Sequence, residues 1–417
     1  MRLTSYRDFF RSELWARIKI LKNLGINQPS SLDVFTPDRQ QLEFCIKPID
    51  KARGIPNDYY IRKESFELEG EHLFNKGWFA VGFVKDLPQP GSVKPVNYFK
   101  NPLLLIKSSQ DQKIRVFQNV CRHRGMVLIE EPTLLKGAIR CPYHSWCYKQ
   151  TGEVVATPHI GGPGYNYHSG IDKNELSLIE VRSHIWRDVI FVNPDGMAPP
   201  FEEVHKPLLD RWAVFDQPMY SDMSDSSFHL DVNTNWKLAV ENYLESYHLP
   251  WIHPGLNSYS KLEDHENIVE YGHYAGQISN KYIPRYSTGK LFNEFQNLGP
   301  EWDTKGEYVV LFPNLILGVQ KDHVFNLIIE PLGPGQIKEH IEIYYSDPSM
   351  LSDEYQQTRQ ENATLWKTVF EEDIFVVEGM QKGRYAKGFD GGRFSPIMDE
   401  PTHVFHDWYA RQILNML

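Results

Sequence analysis

Two short cysteine–histidine pairs constrain this chain more than any other feature. Cys121 and His123 are separated by one residue, Cys141 and His144 by two, and 17 residues lie between the pairs. Each pair follows a strand-like run, 114–119 before Cys121 and 137–140 before Cys141. Two loops at strand ends can converge on one point, and thiolate and imidazole are transition-metal donors. Unrelated buried cysteines and surface histidines are a poor account of two such pairs within a 24-residue window. A tetrahedral zinc site suits two cysteines and two histidines, but zinc spacings usually group the cysteines together and the histidines together. Here each loop gives one of each. That interleaving suits a two-iron centre with both thiolates on one iron and both imidazoles on the other.

A second constellation lies in Glu241-Asn242-Tyr243-Leu244-Glu245-Ser246-Tyr247-His248. A helix is expected over 232–247, and Glu241, Glu245 and His248, spaced i, i+4, i+7, would share one of its faces. Pro250 breaks that helix and lets His253 turn back toward His248. Two histidines and a carboxylate with open positions make the facial triad of a non-haem Fe(II) oxygenase. The competing reading is a charged helix with satisfied histidines. The third ligand has to come from elsewhere in the chain.

Cys121-x-His123 with Cys141-Pro142-Tyr143-His144-x-Trp146 resembles the Rieske domain of ring-hydroxylating oxygenase α subunits. Residues 235–254 resemble the iron-binding segment of the same family, and 389–394 with 403–409 resemble its C-terminal stretch, so the resemblance runs from about residue 60 to 411. It implies a [2Fe–2S] cluster with Cys121 and Cys141 on one iron and His123 and His144 on the other. It implies a mononuclear Fe(II) on His248 and His253. Asp373 is the implied third ligand, because Asp373 and Glu378 reproduce the family's Asp followed five residues later by Glu; Glu372 is the nearest rival. Glu245 matches the bridging acid that links His248 to His144 of the partner subunit in rings of three subunits. Glu245 and Asn242 are the candidate catalytic residues. Ser145 stands where the family usually has Gly, and its hydroxyl, like that of Tyr143, is expected to reach a cluster sulfur. The respiratory Rieske branch is disfavoured, because the first loop lacks the second cysteine that would form its disulfide.

Such a pair of sites implies a terminal oxygenase that uses O₂ and electrons from NAD(P)H. No Gly-x-Gly-x-x-Gly fingerprint is present, so a separate reductase, with or without a ferredoxin, is expected to supply those electrons. The Glu-Asn-Tyr-Leu-Glu-x-Tyr-His run looks like the choline, glycine-betaine and carnitine monooxygenase branch, which implies a quaternary ammonium substrate. The alternative is an aromatic ring-hydroxylating dioxygenase acting on an aromatic compound or aryl acid. A rival of another class is an electron carrier whose second site is vestigial.

The expected fold is α+β: a β-rich Rieske [2Fe–2S] domain over 58–196 and a catalytic domain over 197–417, with an antiparallel sheet covered by helices. Strands are expected at 78–84, 103–107, 114–119, 154–156, 178–181 and 189–192, then at 308–317, 324–330 and 339–345, with a long helix over 353–382. Residues 1–57 are expected to form a helix over 5–24 and an arm over 26–57. Lys plus Arg is 44 against 54 Asp plus Glu, a net charge of −10 that argues against a nucleic-acid binder. Four cysteines point to a reducing compartment, and with neither a signal-like apolar stretch nor a transmembrane run the expected location is the cytoplasm.

Overall fold

Runs rich in Val, Ile, Leu and Phe, bounded by Gly, Pro and Asp, favour short paired strands. In a computed structural model that describes residues 35–416 except Met223, such runs build three antiparallel sheets. The helix expected over 5–24 lies outside the described residues. The first sheet contains β1 (Phe79–Phe83), β2 (Ser92–Tyr98), β3 (Asn101–Lys107), β4 (Ile114–Gln118), β5 (Thr133–Leu134), β9 (Glu180–Trp186) and β10 (Val189–Asn193), in the order β1-β10-β9-β4-β3-β2-β5. The run expected at 178–181 therefore begins only at Glu180 and continues to Trp186. A small sheet of β6 (Ile139–Arg140), β7 (Cys147–Tyr148) and β8 (Val154–Ala156) carries the second cysteine–histidine loop. Leu104, Ile106, Phe117, Ile139, Trp146 and Tyr148 pack with Cys121 and Cys141 in one core, which anchors both loops.

The second large sheet runs β11-β17-β16-β15-β14-β13-β12. Its strands are β11 (Ser227–Val232), β12 (His265–Glu270), β13 (Tyr274–Ser279), β14 (Gly306–Leu311), β15 (Leu315–Gln320), β16 (His323–Gly333) and β17 (Gln336–Tyr345). The single strand expected over 308–317 is a hairpin instead. Pro313 has no N–H for a ladder, and the chain turns through a cis Phe312–Pro313 bond to Asn314. The Asn314 side chain bonds both the N–H and the carbonyl of Ala80, which ties this turn to β1. On one face of the sheet Val309, Leu317, Val319 and Val324 pack with Trp78, Ala80 and Phe191 of the first sheet's region.

Helices cover the other face. The segment 26–57, expected as an arm, contains from residue 39 a helix, α1 (Arg39–Cys45), whose Asp38 cap accepts from the N–H groups of Gln40 and Gln41. It packs on the C-terminal helix, α4 (Glu400–Leu414). His406 Nδ1 accepts from Ile55 N at 2.9 Å, and His403 Nε2 donates to Lys47 O at 3.0 Å. Two further helices carry the site: α2 (Trp236–Leu244), capped by Asn235, and α3 (Gln356–Gly383), which starts three residues later than expected because 353–355 form a 3₁₀ turn. A buried Glu69 carboxylate holds α2, accepting from Lys237 Nζ (2.6 Å), Trp236 Nε1 (2.8 Å) and Tyr409 OH (2.6 Å). A buried ion pair persists only when its remaining polar atoms are satisfied in this way.

Helix α2 ends at Leu244, short of the expected 247, and Glu245 is extended at φ −123°, ψ 154°. The shared face of Glu241, Glu245 and His248 therefore does not exist. Glu241 points away from the histidines into a buried cluster with Tyr60, Arg384 and His406.

Candidate metal centres and substrate pocket

The two cysteine–histidine loops are one six-residue turn used twice. In the first, Cys121 N donates to Met126 O (2.8 Å) and Gly125 N to Cys121 O (3.1 Å). In the second, Cys141 N donates to Trp146 O (2.8 Å) and Ser145 N to Cys141 O (3.1 Å). The residue four after each cysteine has a positive φ, 73° at Gly125 and 60° at Ser145. Left-handed backbone is easy only for glycine, which gives a physical reason for a glycine at position 145. The Ser145 hydroxyl, expected to face a cluster sulfur, instead accepts from Arg140 Nη2 at 2.9 Å. The hydroxyl that does reach a cysteine is that of Tyr148, 3.2 Å from Cys121 Sγ, which also accepts from Arg122 N at 3.0 Å.

The predicted donors come together in two pairs, Cys121 with Cys141 in one core and His123 with His144 ring to ring. Both thiols are buried, and burial pushes the Cys121 thiol up despite its Tyr148 hydrogen bond. The His123 and His144 rings lie 4.7 Å apart, and His123 stacks on Trp146 at 4.6 Å. His144 Nδ1 is buried without a hydrogen-bond partner among the described residues. His123 is exposed, and Tyr143 beside His144 is 56% exposed. Thiols inward and imidazoles outward fit a two-iron cluster with its histidine-bound iron toward the surface.

In the second site His248, His253 and Asp373 each place a ligand atom within 4.8 Å of the others. Asp373 Oδ1 lies 3.0 Å from His253 Nε2 and 3.7 Å from His248 Nε2. The histidines come from the turns after α2, where Pro250 and Pro254 each open a one-turn helix, and Asp373 from α3. The outward ring nitrogens are both taken by carboxylates. His248 Nδ1 lies 2.7 Å from Glu245 Oε1, and His253 Nδ1 lies 2.7 Å from Glu372 Oε2. An imidazole that donates from Nδ1 turns a lone pair outward from Nε2. Two lone pairs and a carboxylate oxygen then converge on one buried point, an acceptor cluster that calls for a cation. Burial disfavours charge on His253, but Asp373 and Glu372 on its two nitrogens outweigh this and raise its proton affinity. Glu372, the rival for third ligand, thus holds His253 from behind.

Helix α3 is pinned in register. Glu378 accepts from Asn233 N (3.1 Å) and Asn233 Nδ2 (2.8 Å), and Gln381 Oε1 accepts from Asn235 N (2.9 Å). Asn242 is buried beside Asp373, Phe370 and Glu339 at a small cavity. No motif in the sequence points to Glu339; burial, with Asp373 adding to it, pushes its carboxyl up to about 8. The triad opens into a pocket whose aromatic side is Tyr243, Tyr308, Trp366 and Phe370 and whose polar side is Ser260, His265 and Gln277. Of these only Tyr243 stands in a motif; the rest come from strands, a loop and a helix far apart in sequence.

The two parts of the chain match two known domains. The Rieske [2Fe-2S] domain matches residues 77–167, and the ring hydroxylating alpha subunit (catalytic domain) matches residues 221–415. The chain joins a Rieske [2Fe-2S] domain to a ring-hydroxylating α-subunit catalytic domain. This α subunit is 25% identical over 354 residues to the carnitine monooxygenase oxygenase subunit of Acinetobacter pittii, covering 84% of this chain and 90% of the relative. It is 26% identical over 396 residues to the chloroplastic choline monooxygenase of Atriplex hortensis, covering 91% and 82%. Its fold matches the quaternary ammonium Rieske monooxygenase CntA in complex with L-carnitine, with TM-score 0.71 and 22% identity over 91% of this chain and 99% of that one. It matches naphthalene 1,2-dioxygenase from Rhodococcus sp. as well, with TM-score 0.72 and 17% identity over 90% and 98%. The α subunit is therefore an α+β oxidoreductase, the oxygenase of a Rieske system, whose two domains are those of a [2Fe–2S] cluster and a mononuclear iron. Among its described residues no helix is long and apolar enough to cross a membrane.

Proposed function

We propose that this α subunit oxygenates a quaternary ammonium compound, with electrons from NAD(P)H delivered by a separate reductase, directly or through a ferredoxin. The observation that carries the reading is the pocket: Tyr243, Tyr308, Trp366 and Phe370 flank the acceptor cluster. Aromatic faces attract quaternary ammonium groups, which cannot form hydrogen bonds. We assign Cys121, Cys141, His123 and His144 to the cluster, in a domain spanning 58–196, and His248, His253 and Asp373 to the mononuclear iron, in one spanning 197–417. When bound, the two groups supply single electrons and O₂ activation. Everything else is the work of this chain. Glu245 and Glu372 hold the two imidazoles with Nε2 aimed at Asp373. The aromatic side of the pocket excludes water and orients the ammonium group, and Asn242 completes the wall beside Asp373.

Glu245 has a second task in this reading. It is only half-buried, and so is His144, whose buried Nδ1 has no hydrogen-bond partner among the described residues and is the nitrogen left for an iron. A trimer in which Glu245 also accepts from the outward ring nitrogen, Nε2, of His144 of the partner subunit would link the two centres. The protein would work in the cytoplasm.

Anaerobically purified protein is expected to contain one more iron per chain than acid-labile sulfide and, when reduced, a Rieske EPR signal. Zinc without sulfide would overturn the assignment. Glu245→Gln, loaded to the wild-type iron and sulfide content, is expected to lose product formation by roughly 100-fold or more, as removal of an electron-linking contact would. Normal turnover by the metal-replete variant would remove the bridging role, and NADH consumption without product from every amine tried would favour an electron carrier.

A further inference from the structure

The polar side of the pocket carries information that the aromatic side does not. His265 Nδ1 lies 2.6 Å from Gln277 Oε1, an oxygen that only accepts, so Nδ1 carries the proton. His265 Nε2 lies 2.9 Å from Ser260 Oγ, and Ser260 Oγ lies 2.6 Å from Ser279 Oγ. The relay is thus complete with a neutral ring, and burial of His265 lowers its proton affinity in the same direction. Among the described residues, no Lys or Arg lines the pocket. Three carboxylates stand around the triad, Asp373 within it and Glu245 and Glu372 behind its histidines. Even a dication held by the triad leaves these surroundings at a formal charge of about −1, a balance that attracts an ammonium group and repels an anion. A substrate carboxylate placed against Ser260, His265 and Gln277 would be desolvated with no Lys or Arg among the lining residues to receive it, a penalty that buried charges escape only through a partner. A hydroxyl would be received by the Ser260 hydroxyl and the Gln277 amide.

We infer that this pocket selects a quaternary ammonium substrate whose other polar group is an uncharged oxygen, and turns away one bearing a carboxylate, with His265, Ser260 and Gln277 setting that choice. The inference rests on the quaternary ammonium reading above and divides the substrate types of the two kinds of relative: choline carries a hydroxyl, carnitine a hydroxyl and a carboxylate.

The test is calorimetric titration of the anaerobic holoenzyme with choline, glycine betaine, carnitine and 3,3-dimethylbutan-1-ol, the uncharged isostere of choline. Choline is expected to bind at least tenfold more tightly than either carboxylate and than the isostere. A carboxylate binding as tightly as choline overturns this inference and leaves the ammonium reading standing. The isostere binding as tightly as choline overturns the ammonium reading itself. Gln277→Lys, checked for unchanged iron and sulfide content, is expected to shift the ratio of choline to betaine affinity by tenfold or more toward betaine. An unchanged ratio in a metal-replete variant would overturn the assignment of the polar relay, and if that variant does not fold the wild-type ranking alone decides.

Discussion

In the cysteine–histidine loops every donor is fixed by nearby backbone: a six-residue turn closed by two main-chain hydrogen bonds, used twice within a 26-residue window. In the His248–His253–Asp373 cluster the donors are fixed by side chains and by a helix that lies more than a hundred residues downstream. The first arrangement presents its histidines at the surface, as a group that passes electrons must. The second hides its ligands under aromatic rings, as a group that meets O₂ beside a substrate must. The two sites are therefore vulnerable in different ways. The loop site depends on local turns and one small core, whereas the triad depends on two carboxylates and on the register of α3.

The sharpest way to separate the two is to remove Asp373. Asp373→Ala is expected to lose the mononuclear iron and all oxygenation while the reduced Rieske EPR signal and sulfide content stay unchanged; loss of both centres together would show that the sites are not independent. Glu372→Gln is a milder cut at the same site. Residues that orient metal-bound histidines are typically worth 10–100-fold in metal affinity, and a loss in that range is expected from iron titration against a competing chelator. An unchanged affinity would mean that His253 is held by packing alone.

The loop site is probed by Tyr148→Phe. Removing the hydroxyl beside Cys121 Sγ takes away about 1 kcal/mol of hydrogen bonding that favours the more negative, reduced cluster. The reduction potential is expected to fall by some tens of millivolts, with mononuclear iron content unaltered; Ser145→Gly, whose hydroxyl is paired with Arg140, should leave the potential nearly where it was. Protein-film voltammetry distinguishes the two variants.

The smallest effect concerns the seam between the two regions. Asp188, in the turn between β9 and β10, accepts from Tyr344 OH of β17 at 2.6 Å. Burial pushes its carboxyl up to about 6, against the opposing pull of Tyr344 and Lys85. An acid raised from an ordinary value near 3.8 keeps its proton in the folded chain while the unfolded chain releases it. Stability therefore falls as pH rises from about 4 to 6. Asp188→Asn is expected to flatten the melting temperature across that window, and an unchanged slope would place the titration elsewhere.

The same contrast governs what can be read from the sequence. Cys121, His123, Cys141 and His144 are legible because their geometry is local; a loop pair carries its spacing on its face. His248 and His253 are legible as a pair, but the helix meant to align Glu241 and Glu245 with them ends at Leu244, and no residue in that run announces the stop. Asp373 is reached only through resemblance, because the distance that joins it to His253 is a tertiary fact. Glu372 reads as a rival ligand; its actual orientation is set by the helical turn it shares with Asp373. Tyr148 escapes a sequence reading because a tyrosine on a two-residue strand looks like core. The aromatic and polar walls of the pocket cannot be seen at all, since Tyr308, Gln277 and Trp366 meet only after the sheet has paired and α3 has docked.

Helix α3 carries Trp366, Phe370 and Asp373 in one unbroken 28-residue rod. One residue added or lost between Trp366 and Asp373 would swing the carboxylate by about 100° relative to the rings, while the anchors at Glu378 and Gln381 prevent the rod from turning back. Descendants of this chain can therefore change what they oxidise by exchanging side chains on the wall, but not by altering the length of this stretch: the spacing is inherited as a fixed measure, and only the letters written on it are free.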